Sequence, residues 1–243
     1  MAPLDIHVTG AGTAYHPAER SILTLHAQSI SFPTAQEADS MVASVLNSLC
    51  DAIAPYCPYE TSTDSANNNA AISHYSIKTF ETSQGRDRVQ DYGSMSFSSK
   101  SSYKISFSAS ANLSIEFRDF ALLARLATQI GSMENVKIKS LEWILTPSTQ
   151  ATVQGQARKE AARHAIRKAK DYAEVFGGLS GDEAAIKVRA MLVKENVPYK
   201  TFTKAKVHIG KVKNGKTQKS EWDYEPLDVG VEVKVDGRFS VHE

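Results

Sequence analysis

Tyr103-Lys104-Ile105-Ser106-Phe107-Ser108-Ala109-Ser110-Ala111-Asn112-Leu113-Ser114-Ile115 decides the fold. Its odd positions are apolar, while its even positions are lysine, asparagine and serine. Successive side chains on a strand point to opposite faces, so this stretch has one dry face and one wet face. The same period returns near the C-terminus, where Val229, Val231, Val233, Val235, Phe239 and Val241 alternate with Asp228, Glu232, Lys234, Asp236, Arg238 and Ser240. Strands of this kind belong to antiparallel sheets covered on one side. The expected class is therefore α+β, an antiparallel sheet with helices packed on one face.

Working outward, Leu4, Ile6 and Val8 mark a first strand and Leu23, Leu25 and Ala27 a second. Gly10-Ala11-Gly12 and Pro17 read as the turn joining the two into a hairpin. Thr34 is an N-cap with Glu37 three residues on, opening a helix that carries Ala38, Val42, Leu46, Leu49 and Ile53 and stops at Pro55. Residues 61–70 read as polar loop, 72–82 as strand and 83–101 as a Ser-rich mobile loop. Asp119 opens a second helix that Gly131 is placed to cap. Val136 to Leu145 reads as a strand.

A long Ala-rich helix is expected over about 149–176, about 40 Å in length. Ala157, Ala161, Ala165, Ala169 and Ala173 form a ridge along it, and Gly177-Gly178 ends it. After Ala185 the chain reads as strand, with Ile186, Val188, Ala190 and Leu192 alternating, followed by a basic excursion at 195–226 with a hairpin turn at Asn214-Gly215. A chain of 243 residues buries roughly 70% of its unfolded surface. It is expected to form one unit over 1–243, built as two intimately joined lobes.

A net charge of +1 favours neither nucleic acid nor membrane as a global partner. The sequence shows neither a spanning apolar run nor a secretory signal. Cys50 and Cys57, the only cysteines, fit a reducing compartment with unpaired thiols. Cytoplasmic residence is expected, with the nucleus open.

Tests for chemistry assign no catalytic, cofactor-binding or metal-ligating residue. Gly10-Ala11-Gly12 lacks the third glycine of a dinucleotide fingerprint. The histidines lack metal-ligand spacing, although His7 and His26 fall on wet faces of strands expected to be neighbours. No serine stands in a nucleophile elbow. Charge asymmetry is more telling. From Lys187 to Lys219 ten basic side chains face Glu195 alone, a local net of +9. Lys204, Lys206, His208, Lys211 and Lys213 form the candidate interaction surface, with Tyr199 and Phe202 nearby, fitted to an acidic protein partner before nucleic acid. Tyr75, Tyr103, Phe107, Trp143 and Tyr172 are the candidate lining of a small-molecule or catalytic pocket.

The order of elements carries further residues with it. Ile6-His7-Val8-Thr9-Gly10-Ala11-Gly12 leads through Pro17-Ala18-Glu19 to Thr34-Ala35-Gln36-Glu37-Ala38, and later Ala157-Arg158-Lys159-Glu160-Ala161-Ala162 and Ala165-Ile166-Arg167-Lys168-Ala169 precede Gly177-Gly178. This resembles the SIMPL domain family over about residues 4–55 and 101–180 and the final strand. The resemblance implies an α+β scaffold able to self-assemble, with bacterial members exported to the envelope and linked to stress. It also implies a tie to a Pelle-like signalling kinase, through an animal member, and no family-wide catalytic activity. The chain departs from the pattern in its missing signal segment, its Ser-rich loop and its basic excursion.

The first expectation is thus a non-enzymatic, homo-oligomeric scaffold or adaptor without cofactor, using strand edges and the Ala ridge to associate. The alternatives are the pocket and the basic segment 187–219, the latter for an acidic partner or RNA.

Overall fold

The computed structural model of the chain describes residues 4–57, 70–89, 102–204 and 225–241. Along them run β1 (Asp5–Pro17), β2 (Arg20–Gln28), α1 (Ala35–Ile53), β3 (Ile72–Val89), β4 (Ser102–Phe117), α2 (Phe120–Gly131), β5 (Val136–Ile144), α3 (Pro147–Gly177), α4 (Gly181–Lys187), β6 (Val188–Lys204) and β7 (Asp228–Val241). These strands form a three-stranded sheet in the order β1-β7-β6 and a four-stranded sheet in the order β3-β4-β2-β5. The chain is an α+β protein in which β1 with β7, β6 with β7, β2 with β4 and β3 with β4 pair antiparallel, with one long helix. It divides into two compact units, one from stretches 1–19, 143–215 and 226–243, the other from 20–142 and 216–225.

In the first unit, β7 is the central strand. Val229, Val231, Val233, Val235 and Phe239 are buried on the face that α3 covers. The helix starts where the sequence allows: Thr146 Oγ1 accepts from the Thr149 N–H at 3.4 Å, and Pro147 occupies the first turn. It ends at Gly178, whose φ of 64° is left-handed. Ala157, Ala161, Ala165, Ala169 and Ala173 are all buried along its inner face.

Gly10-Ala11-Gly12, expected as a turn, lies inside β1, and the reason is the Ala ridge. A Cβ at Gly10 would overlap the carbonyl oxygen of Ala161, and one at Gly12 the carbonyl oxygen of Ala157 and the amide nitrogen of Ala161. Helix backbone and strand backbone therefore touch directly here. Further along, Val8 and Ile6 pack against Ala165, Ala169 and Ala173, with Leu4 and Leu179 at the margin. Side chains on this face of β1 grow from Gly12 and Gly10 to Val8, Ile6 and Leu4. The ridge is consumed by this contact and is not the self-association surface expected of it.

Glu19 supports the start of α3. Its carboxylate accepts from the Thr146 N–H at 2.7 Å and the Thr149 hydroxyl at 2.8 Å. Burial opposes ionisation there, but these donors hold the carboxyl below the usual glutamate range. A depressed folded-state pKa gives stability that is present above the unfolded value and disappears as pH falls through the folded value. Glu19→Ala should therefore cost about 1–2 kcal/mol at pH 7, and the cost should shrink as pH falls through the carboxyl's lowered value. Urea titrations of both proteins at neutral pH and through the acid range check it.

The strand expected from Ile186 starts later, because residues 181–187 form α4. Ser180 accepts from the Glu183 N–H, and Glu183 accepts in return from the Ser180 N–H at 2.9 Å. That capping box holds a helix too short to show a period of its own.

In the second unit, Ala109, Ala111, Leu113, Ile115 and Phe117 of β4 are buried beneath the helical cover. Ala38, Val42, Leu46, Leu49 and Ile53 line the inner face of α1, whose N-cap Thr34 accepts from the Glu37 N–H at 3.2 Å. Asp119 caps α2 by accepting from the N–H groups of Ala121 and Leu122. Gly131 is the last helical residue and not the cap; Ser132 takes that place, its N–H donating to the carbonyls of Gln129 and Ile130.

Two expectations about connection change. β1 pairs with β7 and β2 with β4, so the first two strands form no hairpin and His7 and His26 lie on different sheets. Residues 83–89, expected in a loop, continue β3, with Ser83 opposite Ser108 and Val89 opposite Ser102. Their polar side chains hide an ordinary backbone ladder. The rest of that expected loop lies outside the described residues.

Candidate functional site

The anticipated interaction surface is reached only at its margin. Lys204 is the last residue of β6, and Lys206, His208, Lys211 and Lys213 lie outside the described residues. The anticipated pocket residues fall in both units: Tyr75, Tyr103 and Phe107 in the second, Trp143 and Tyr172 in the first. Tyr75 and Tyr172 are exposed, Phe107 is half-buried and Trp143 is buried. The backbone of Phe107 exchanges hydrogen bonds with that of Phe32 at 2.8 Å.

In the first unit, the sheet face away from α3 carries a ladder of paired charges. Thr9 Oγ1 and Asn196 Nδ2 donate to the two oxygens of Asp236 at 2.6 and 2.9 Å, which holds that carboxyl below its usual range. Arg238 Nε donates to both carboxylate oxygens of Asp5 at 2.9 and 3.1 Å, depressing the acid and raising the guanidinium. Lys234 Nζ stands 3.7 Å from Glu232. Tyr15 and Phe202 meet edge to face, ring centroids 5.9 Å apart, across Gly230, where a Cβ would strike both rings.

A cleft of about 520 Å³ opens on this face, lined in part by His7, Thr9, Leu192, Lys194, Asp236 and Arg238. Carboxylates kept ionised by such donors are poorly matched to proton transfer near neutrality. The arrangement is suited to recognition. Among the described residues, no group of three or more His, Cys, Asp or Glu side chains is placed to hold a metal ion. No described helix is long and apolar enough to cross a membrane.

Among the described residues the edge strands are β1 and β6 of one sheet and β3 and β5 of the other. In the second unit, β3 is an edge of its sheet over 18 residues. Tyr75, Ile77 and Phe80 stand opposite Ile115, Leu113 and Ala111, on the face that is buried along β4. Yet they are 38%, 50% and 46% exposed, because α1 lies mainly over β4 and little over β3. In the first unit, β1 is an edge covered in part by α3. Lys168 Nζ donates to the Thr9 carbonyl at 3.0 Å. His164 Nδ1 lies 3.2 Å from the Ala11 nitrogen and 3.0 Å from its carbonyl oxygen, accepting from one or donating to the other according to its tautomer. Near Leu4 to His7 a groove of about 200 Å³ remains beside Tyr172 and Phe176. Phe80 reaches the face of Tyr75 and Ile77 only because the register of β3 shifts between Ile77 and Thr79, and that Phe80 and Phe176 are left uncovered depends on where the helices lie.

Among the described residues, fold and surface define a protein of antiparallel sheets in which Asp5, Asp236 and Arg238 are engaged in pairing and the edges of β1 and β3 carry exposed apolar side chains beside them. The chain belongs to the SIMPL family: the model of that family, described as a protein of unknown function (DUF541), matches residues 6–239. No curated protein matches it.

Proposed function

We propose that this chain is a non-enzymatic scaffold that self-associates through the edge of β3. The supporting observation is the exposed row of Tyr75, Ile77 and Phe80 on a long edge strand, which among the described residues has no second strand along its outer side. Such an edge offers unpaired N–H and C=O groups as well as apolar area, and both favour pairing with another chain. The reading places the protein in the cytoplasm or nucleus, where Cys50 and Cys57 stay reduced. Both are free, and burial pushes both thiols up, which lowers their reactivity. A role in stress or signalling would then be that of an assembly platform.

Light scattering over micromolar concentrations tests this. The mass of the wild type should rise with concentration, and Ile77→Lys with Phe80→Glu should suppress the rise while leaving the circular dichroism spectrum unchanged. A wild type monomeric throughout the range would overturn the proposal.

Capture of an acidic partner by the basic segment is the second reading. Lys194 and Lys200 support it, because they stand in register with Asp236 and Glu232 on the uncovered sheet face. Those same neighbours offset their charge, so assembly is preferred.

A further inference from the structure

The hydrogen-bond register of β1 shows which of its backbone groups face outward. The Val241 N–H donates to the Leu4 carbonyl at 3.1 Å, and the register continues through Ile6 opposite Phe239 and Val8 opposite Gly237. Hydrogen-bonded and non-bonded pairs alternate in antiparallel sheets. Leu4, Ile6, Val8 and Gly10 therefore bond to β7, while Asp5, His7, Thr9 and Ala11 direct their N–H and C=O groups away from it. The side chains of Lys168 and His164 meet these groups at Thr9 and Ala11. At Asp5 and His7, among the described residues, no strand lies against the edge.

That open window has an apolar wall. Leu4, Ile6, Tyr172 and Phe176 border the groove beside it. Phe176 is 73% exposed, and its ring leans on Tyr172 with centroids 6.0 Å apart. Two aromatic rings in water beside an unpaired strand form a site for strand addition, in which main-chain bonds give affinity and side-chain pockets give selectivity.

We propose that this window is a contact for a second copy of the same chain: two β1 strands pair antiparallel about Ile6, each Asp5 opposite the other copy's His7, with Tyr172 and Phe176 of both copies closing over the axis. The occupant follows from self-complementarity. An antiparallel pair centred on residue 6 sets position 5 against position 7, and these are the two positions whose backbone groups point outward. The same register sets each Asp5 carboxylate, which Arg238 holds within its own chain and which lies 3.5 Å from its own His7, against the other copy's imidazole, and sets buried Ile6 against Ile6 on the side facing the aromatic rings. A foreign peptide would have to supply acid, apolar and base in this order; a second copy already carries it. Lys168 and His164 end the pairing beyond Val8, which keeps the contact short and weak.

This inference rests on the self-association reading and adds a second edge to it. An isologous contact at β1 and another at β3 would carry assembly past a dimer, since each uses a different surface. The experiment is sedimentation equilibrium of the full chain in four forms: wild type, Ile77→Lys with Phe80→Glu, His7→Glu with Phe176→Glu, and all four changes together. His7→Glu sets carboxylates opposite one another at both cross-pairs. Each double variant is expected to stop at twice the monomer mass and the quadruple variant at the monomer, with far-ultraviolet spectra unchanged. His7→Lys, which sets a cation against each Asp5, should retain the wild-type mass.

If the β1 variant keeps the wild-type mass while the β3 variant lowers it, the β1 contact is overturned and the scaffold reading stands. Monomeric wild type removes both. If His7→Lys lowers the mass as far as His7→Glu with Phe176→Glu, the charge register is wrong and the proposal is overturned in that form.

Discussion

Gly12→Val is expected to unseat α3 from β1 and to cost more than about 4 kcal/mol, enough to unfold a marginal unit. The added side chain would run into the carbonyl oxygen of Ala157 and the amide nitrogen of Ala161, both backbone atoms of a helix 31 residues long. A crowded side chain can change rotamer, and overpacking of that kind costs typically about 1–3 kcal/mol. A crowded helix backbone can only move as a rod. Moving it would pull Ala157, Ala161 and Ala165 off the sheet and break the contacts of His164 and Lys168 with Ala11 and Thr9. Chemical denaturation followed by circular dichroism measures the loss. A midpoint equal to that of the wild type would show that helix and strand do not touch at Gly12.

Phe117→Ala should weaken the second unit by about 3–5 kcal/mol, the range for removing a fully buried aromatic ring. Among the described residues Phe117 is the largest side chain with no exposed surface, and it stands opposite Ser21 of β2 and Ile72 of β3. Its loss leaves a void at the point where three strands meet, and neighbours fixed by two ladders can close in only partly. Phe117→Leu keeps most of the volume and should cost much less. Urea midpoints of the two variants check this. A loss below about 1 kcal/mol for Phe117→Ala would mean that the site collapses freely, against the packing described for β4.

Much of the fold was readable because it depends on local rules. The alternation at 109–115 and 229–239 names residues that are in fact dry, with Val241 only partly buried, and alanine at every fourth position of α3 names the buried ridge. Thr34 was visible as a cap and Asp119 as lying at a helix start, since a side-chain oxygen before a helix meets its free N–H groups wherever it occurs. Ser180 and Glu183 carried the same signal for α4, but seven residues show no periodicity, and the alternation of Ile186 with Val188 read as strand.

Gly10-Ala11-Gly12 misled for a sharper reason. Glycine serves turns and close backbone approach equally well. Only the helix that lies against those residues, about 150 positions later in the chain, separates the two uses. The apolar half of β4 shows a related failure: Ile105 obeys the period yet is 49% exposed, because the strand outruns the helices that cover it.

The candidate edges belong to this second group. A ladder hydrogen bond joins an N–H to a C=O that nearly every residue possesses, so a pattern of side chains cannot say which strand is paired with which, or which is left without a neighbour. Residue order alone was enough for most of the strands and the three longer helices, and for much of their dry faces, because those are settled within a few residues by side-chain direction and capping. The pairing of β1 with β7, the descent of α3 onto Gly10 and Gly12, and the uncovered rows at Tyr75–Phe80 and Leu4–His7 exist only once distant segments meet. Contact between backbones carries no local signature, and that is why function here had to be sought in the assembled sheets.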